Sequence, residues 1–232
     1  MRLGEAWQRN AAAWIRWARK PGHDSYWRFH RDAFLSLVPS PGRLTLDLGC
    51  GEGRLSRDLG SLGHRVVGVD VSETMVVAAR EADPRGEYLV ADASSLPFPA
   101  GHADLAVAFM SLMDVDDMAG TVGELARVLE PGGRAVVAVV HPLNSAHRID
   151  RERPESDLVL VHDYFDRRWY SDEIERDGLR MTFTSRHWTL EDYADALTGA
   201  GLVLDAVREV RDPTHVRWSR YPLFLHLRGI QS

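Results

Sequence analysis

Three glycines spaced two apart, Gly49, Gly51 and Gly53, follow the apolar run Leu44 to Leu48. The run reads as a buried strand. The stretch after the glycines, with Leu55, Leu59 and Leu62 on one face, reads as a helix. A strand that turns through glycines into a helix brings backbone N–H groups and the positive end of the helix dipole against a ligand. Lacking Cβ atoms, Gly49 and Gly51 let that ligand approach the backbone closely. Val66 to Val69 reads as a second strand with Asp70 at its end. An acid about 20 residues after such a loop is where a ribose hydroxyl pair is held. The spacing is GxGxG, not the dinucleotide pattern GxGxxG, and no GxxxxGK[ST] phosphate loop occurs.

The elements that must position these residues alternate strand and helix from Arg43 onward, which predicts a parallel α/β sheet. Ser72 caps a helix carrying Met75, Val76 and Ala79, and Glu87 to Val90 is a third strand. Leu105 to Phe109 is a fourth, and a helix with Met118, Val122, Leu125 and Val128 follows. Pro131-Gly132-Gly133 turns into a fifth strand, Ala135 to Val140, which delivers His141 to its C-terminal end. Ligands sit at that end in open α/β sheets. Residues 143–185 are too long for a plain connection, and predict an inserted β element. Its short strands are Leu158 to Val161 and Arg180 to Phe183, with a turn at Asp177-Gly178, and it carries Tyr164, Phe165, Trp169 and Tyr170. Thr189 and Asp192 form a capping box for a helix ending at Gly201. Two last strands, about 203–210 and 222–229, complete the sheet.

The segment Leu46-Asp47-Leu48-Gly49-Cys50-Gly51-Glu52-Gly53 resembles motif I of class I S-adenosylmethionine-dependent methyltransferases, in particular the small-molecule group called type 11. Leu96-Pro97-Phe98-Pro99 before Asp104, and Leu129-Glu130-Pro131-Gly132-Gly133, match further segments of that family, so the likeness covers about residues 43–141. It implies a Rossmann-like, seven-stranded, mostly parallel sheet with helices on both faces. It also implies S-adenosylmethionine as cofactor and S-adenosylhomocysteine as product. By the same resemblance Gly49 and Gly51 hold the methionine part and Asp70, with Val71 beside it, the ribose. Asp92 and Ala93 bracket the adenine, while Phe109 and Met110 line the adenosine pocket. Asp47 either holds the amino group through a water or is a capping carboxylate.

Residues 5–38 read as two helices: Trp7, Ala11, Trp14 and Ala18 on one, then Trp27, His30, Phe34 and Leu37 on another capped by Ser25 or Asp24. Members of the family commonly carry an N-terminal helical lid. Two readings are therefore open for residues 1–40: a lid over a domain at 41–232, or ordinary core packing. Trp14, Trp17, His23 and Tyr26 are the lid candidates. Trp14, Tyr26, Tyr164, Trp169 and His187 are the expected acceptor contacts. If the acceptor must lose a proton, His141 is the expected base, with His187 second, and His141→Ala would then lower the rate by about 10²–10⁴.

Composition limits the alternatives. In 232 residues with 44% hydrophobic content there is enough to bury one full core, and a formal charge of −6 argues against a polyanionic partner. Arg2, Arg9, Arg16, Arg19, Lys20, Arg28 and Arg31 make the N-terminus locally basic, which leaves a tRNA methyltransferase as an alternative. A non-methylating protein on the same scaffold is the other. Cys50 is the only cysteine, so no disulfide or cysteine metal cluster is expected, and no metal site at all. No apolar run reaches the roughly 20 residues of a membrane span, and the charged start lacks a signal-peptide core. The expectation is a cytoplasmic enzyme acting on a small molecule.

Overall fold

A computed structural model describes residues 2–147, 155, 157–160 and 162–232. The chain opens with α1 (Leu3–Arg19), then a π-helical turn (Tyr26–His30) that runs into α2 (Arg31–Leu35). The alternating part is β1 (Thr45–Leu48), α3 (Arg54–Ser61), β2 (Val66–Asp70), α4 (Glu73–Ala82), β3 (Glu87–Val90) and β4 (Ala103–Phe109). It continues through a 3₁₀ turn (Leu112–Asp114), α5 (Met118–Val128), β5 (Leu129–Val140) and the short α6 (Pro142–Ala146). A hairpin of β6 (Trp169–Arg176) and β7 (Leu179–Arg186) precedes α7 (Leu190–Gly199), β8 (Leu202–Val210) and β9 (Phe224–Gln231).

The seven-stranded sheet has the order β3-β2-β1-β4-β5-β9-β8. β1 to β5 pair in parallel, and β9 is antiparallel to both of its neighbours. This is the Rossmann-like sheet the sequence predicts. The central strands are apolar throughout because both faces are covered. Successive side chains go to opposite sides. Leu105, Val107 and Phe109 of β4 pack with Phe34, Leu55 and Leu59 on one face. Ala106 and Ala108 pack with Val122, Leu125 and Leu197 on the other. The caps form as expected: Ser72 accepts from the Met75 amide, and Thr189 and Asp192 complete a reciprocal capping box.

Three expectations are corrected. Trp27 is 55% exposed, while Tyr26, His30 and Phe34 are buried. The π-helical turn widens the repeat there, so residues spaced four apart share the inner face and Trp27 rotates out. Leu62 is exposed, since α3 stops at Ser61. The hairpin's first strand is Trp169–Arg176, not Leu158 to Val161: Leu160 makes only an isolated bridge to His147, and Val161 lies outside the described residues. The Asp177-Gly178 turn is where it was expected, both residues having positive φ, 51° and 73°.

Candidate active site

β1 ends in a loop whose glycines all adopt the left-handed region, with φ of 71° at Gly49, 56° at Gly51 and 82° at Gly53. The Gly49 and Cys50 amides donate to the Val69 carbonyl, 2.8 and 3.0 Å, tying the loop to β2. Asp70 holds it from the other side. Its Oδ2 accepts from the Gly51 amide at 2.8 Å and its Oδ1 from the Ser72 amide at 2.9 Å. A Cβ on Gly49 would fall 2.4 Å from that of Ser111, whose hydroxyl donates to the Leu48 carbonyl. On Gly51 it would point at the Trp14 indole, 3.5 Å away.

These elements frame a cavity of about 580 Å³, within the usual range for small-molecule sites, about 300–1,000 Å³. Asp47, Gly49, Gly51, Asp70 and Val71 lie on its wall, as do Asp92, Ala93, Phe109 and Met110, so the structure gathers the whole expected cofactor set at one place. Asp92 accepts from both the amide and the hydroxyl of Ser94. Met110 has a φ of 57°, a conformation uncommon for a side-chain-bearing residue and enriched where chains build sites. Part of the lining is aromatic. Trp14 and Trp17 of α1 meet Phe183 of β7 edge-on, with Trp14 and Phe183 ring centres 5.9 Å apart, and Trp7 meets Trp14 edge-on.

The sequence family described as a methyltransferase domain matches residues 46–137. The malonyl-[acyl-carrier protein] O-methyltransferase of Salmonella typhimurium is 36% identical over 228 residues, 88% of each chain. The chain belongs to the S-adenosylmethionine-dependent methyltransferases. A solved S-adenosylmethionine-dependent methyltransferase from Mesorhizobium loti superposes with a TM-score of 0.70 at 26% identity, over 86% of this chain and 96% of that one. The chain spans about half the length of other curated relatives it matches. The demethylmenaquinone methyltransferase of Beutenbergia cavernae is 37% identical over 117 residues, 50% of this chain and 48% of that one.

The residues on this cavity fit the family's cofactor, S-adenosylmethionine, which is cationic. Asp47 and Asp70 are buried carboxylates, Asp70 raises the proton affinity of Asp47, and the groups that hold them are hydroxyl and amides, not arginines. Burial, with the nearby Asp70 charge, pushes Asp47 up to about 7 against the hydrogen bond from Ser56. Burial likewise pushes Asp114 up to about 8. Both folded-state values lie above the ordinary carboxylate value of about 4. The stability held by these protons is therefore complete below about pH 4 and lost as pH rises through the folded values. Melting temperature is expected to fall between pH 5 and pH 9, and Asp114→Asn should flatten part of that slope. An equally steep slope in the variant would remove Asp114 as a contributor.

Of the expected acceptor contacts, Trp14 lines the cavity and four do not. Tyr26 is buried beneath the Arg54 guanidinium and donates to Asp58 at 2.7 Å. Trp169 faces outward at 44% exposure. His187 is buried: Nδ1 accepts from the Ser145 hydroxyl and Nε2 donates to the Tyr164 carbonyl. The Tyr164 hydroxyl in turn accepts from the Leu190 amide. These residues fasten the insert to the sheet.

The base expected at His141 is also corrected. The chain bends into α6 directly after β5, and the imidazole serves that bend. Its Nδ1 accepts from the Leu143 amide, and its Nε2 pairs with Glu209 at 3.1 Å on β8, away from the cavity. His141→Ala is therefore expected to cost about 0.5–2 kcal/mol of stability, as for a lost cap. Transfer rate and cofactor affinity should stay within about threefold of the parent, because no reacting group is removed. A rate loss of 10² or more without a change in melting temperature would restore it as the base.

Residues that sequence reading missed are Trp7, Asp114, Phe183 and Ser185, which all line the cavity. Only Trp7 had a signal, its helical spacing with Trp14.

Proposed function

We propose that the protein transfers the methyl group of S-adenosylmethionine to a small organic acceptor inside this cavity. The observation that carries the reading is one cavity lined both by the expected cofactor residues and by the aromatic residues Trp7, Trp14, Trp17 and Phe183. When bound, S-adenosylmethionine supplies an electrophilic methyl on a sulfonium. In this reading Gly49 and Gly51 admit its methionine part, Asp70 and Val71 the ribose, Asp92 and Ala93 the adenine, and Asp47 faces the charge. Phe109 and Met110 form the floor beside the adenosine. The chain's contribution is then position and exclusion of water. Correct placement of two reactants lowers a barrier by about 7–11 kcal/mol in favourable cases.

Residues 1–40 act as a lid in the same reading. α1 contributes three tryptophans to the cavity wall and packs on β7 and α4. The relatives named for demethylmenaquinone and for a malonyl group on acyl-carrier protein favour acceptors delivered to an enclosed site over exposed polymers. A tRNA acceptor has less support, because the N-terminal arginines are partly committed. Arg19 pairs with Glu52, Arg28 with Asp212 and Arg31 with Asp58. Among the described residues no helix is long and apolar enough to cross a membrane.

Calorimetry with S-adenosylmethionine and S-adenosylhomocysteine, together with hydrogen exchange, tests both parts. Binding should protect residues 49–53 and, with the lid closed over the ligand, residues 5–38. Failure of either ligand to bind would overturn the function. Exchange in residues 5–38 that ignores the cofactor would overturn the lid alone.

A further inference from the structure

Asp114 ends the 3₁₀ turn after β4 and lines the cavity. The role assigned to the cofactor wall does not use it. Its Oδ1 accepts a 2.6 Å hydrogen bond from the Ser185 hydroxyl, across 71 residues of chain. Tyr170 stands opposite Ser185 in the hairpin. The charge that reaches Asp114 most strongly is another carboxylate, Asp70, and no cation offsets it. The arginines on the cavity wall are engaged elsewhere: Arg28 with Asp212, Arg54 with Asp24, and Arg176 with the carbonyls of Gly22 and His23.

Directly beside this carboxylate is an aromatic box. Phe183 and Ser185 are alternate residues of β7 and share a face. Trp14 meets Phe183 edge-on, and Trp7 meets Trp14 edge-on at 6.0 Å. All three rings line the cavity, and aromatic linings recognise ammonium groups through the negative potential of their π-faces. The box already tolerates a cation at its border, where the Arg54 guanidinium lies 5.0 Å from the Trp14 ring centre. Once ionised, above about pH 8, a carboxylate without a counter-cation beside these indoles repels a carboxylic acid, holds a neutral phenol weakly, and attracts a protonated amine.

We propose that the acceptor is an amine, and that Asp114 receives the proton its nitrogen gives up inside the box of Trp7, Trp14 and Phe183. This rests on the methyl-transfer reading above. The amine enters as an ammonium and passes one proton to the Asp114 carboxylate, which becomes the neutral acid. The freed lone pair forms the new N–C bond. The C–S bond breaks with its electron pair going to sulfur, which becomes the neutral thioether. The product leaves as a methylated ammonium, and net charge is the same on both sides. The Ser185 hydroxyl, donating to Asp114, fixes which oxygen is turned to the amine. Around Asp114 the other titratable groups are Asp70 from β2, Tyr170 and Asp172 from the hairpin, and Tyr193 from α7. Burial and the neighbouring acid push Tyr170 and Tyr193 upward, so both stay neutral.

The test separates holding the cation from taking its proton. With S-adenosylhomocysteine saturating, choline and its uncharged carbon isostere 3,3-dimethylbutan-1-ol are titrated by tryptophan fluorescence. The parent should bind choline at least tenfold more tightly. Asp114→Asn, which still accepts from Ser185, should bring the two within about twofold, and Asp114→Glu should restore part of the difference. Labelled methyl transfer is then measured on primary amines, phenols and carboxylic acids. Amines should be methylated, with a single-turnover rate in the parent that rises with pH as Asp114 ionises; in Asp114→Asn this limb should move up to the pH at which the free amine itself loses its proton. Equal binding of the two probes by the parent, a choline preference untouched in Asp114→Asn, or transfer confined to phenols or acids would overturn the proposal. In those cases bound S-adenosylhomocysteine leaves the methyltransferase reading standing. Its failure to bind overturns both.

Discussion

Asp70→Ala should weaken S-adenosylmethionine binding by about fivefold to 150-fold. The carboxylate accepts from the amides of Gly51 and Ser72, one on each oxygen. Alanine would free the loop from this anchor, so the ligand must order it on binding and loses a charged hydrogen-bond partner worth about 1–3 kcal/mol. Each 1.4 kcal/mol is about tenfold in affinity. Part of the loss comes from the protein itself, because the glycine loop is held in its left-handed shape from this side chain. Asp70→Asn keeps one acceptor oxygen and turns an amide donor toward the second N–H, so it should fall between the two. Calorimetry with S-adenosylhomocysteine decides the matter: parent-like affinity in Asp70→Ala would remove Asp70 from the site.

Phe34→Ala should be the most destabilising single change in the N-terminal segment. Phe34 has no exposed surface. It stands edge-on to Phe109 at 4.9 Å and to His226 at 5.6 Å, joining α2 to β4 and β9. Truncating a buried phenylalanine costs about 3–5 kcal/mol. At about 2–4 °C per kcal/mol for a chain of this size, melting should drop by about 6–20 °C. Phe109 also lines the cavity, so the same change should loosen that part of its wall. Phe34→Leu refills most of the space and should recover much of the loss. A drop below about 3 °C in Phe34→Ala would mean the segment is not seated on the sheet as described.

What could be read directly from the chain was local chemistry. Gly49, Gly51 and Asp70 were legible because a left-handed loop needs glycine and the end of a parallel strand fixes where an acid goes. Ser72, Thr189 and Asp192 were legible because caps act within three residues. The hairpin was misplaced because β6 has almost no buried face, so its polar residues Ser171, Asp172 and Glu173 carry no strand signature. The apolar Leu158 to Val161 carried a stronger one. His141 was misread for a different reason. Topology brought it to the correct end of the sheet, but the direction of its imidazole depends on Leu143 and on Glu209, 68 residues later. Asp114 and Ser185 were invisible as a pair, since nothing local relates residues so far apart. Trp27 was lost to the single wide turn that shifts the helical phase by one residue.

The place of β9 in the sheet also bears on how the protein is made. β9 lies between β5 and β8, so the strand that completes the sheet is the last element of the fold to be synthesised. Until residues 224–231 emerge, β5 has all its parallel neighbours on one side and a bare row of amides and carbonyls on the other. That edge runs over Arg134 to Val140, the residues that later pair with β9. An uncovered apolar edge of this kind is a template for pairing with a neighbouring chain. The nascent polypeptide therefore carries its greatest risk of aggregation just before synthesis of the fold is complete, and the last strand acts as its own protecting cover.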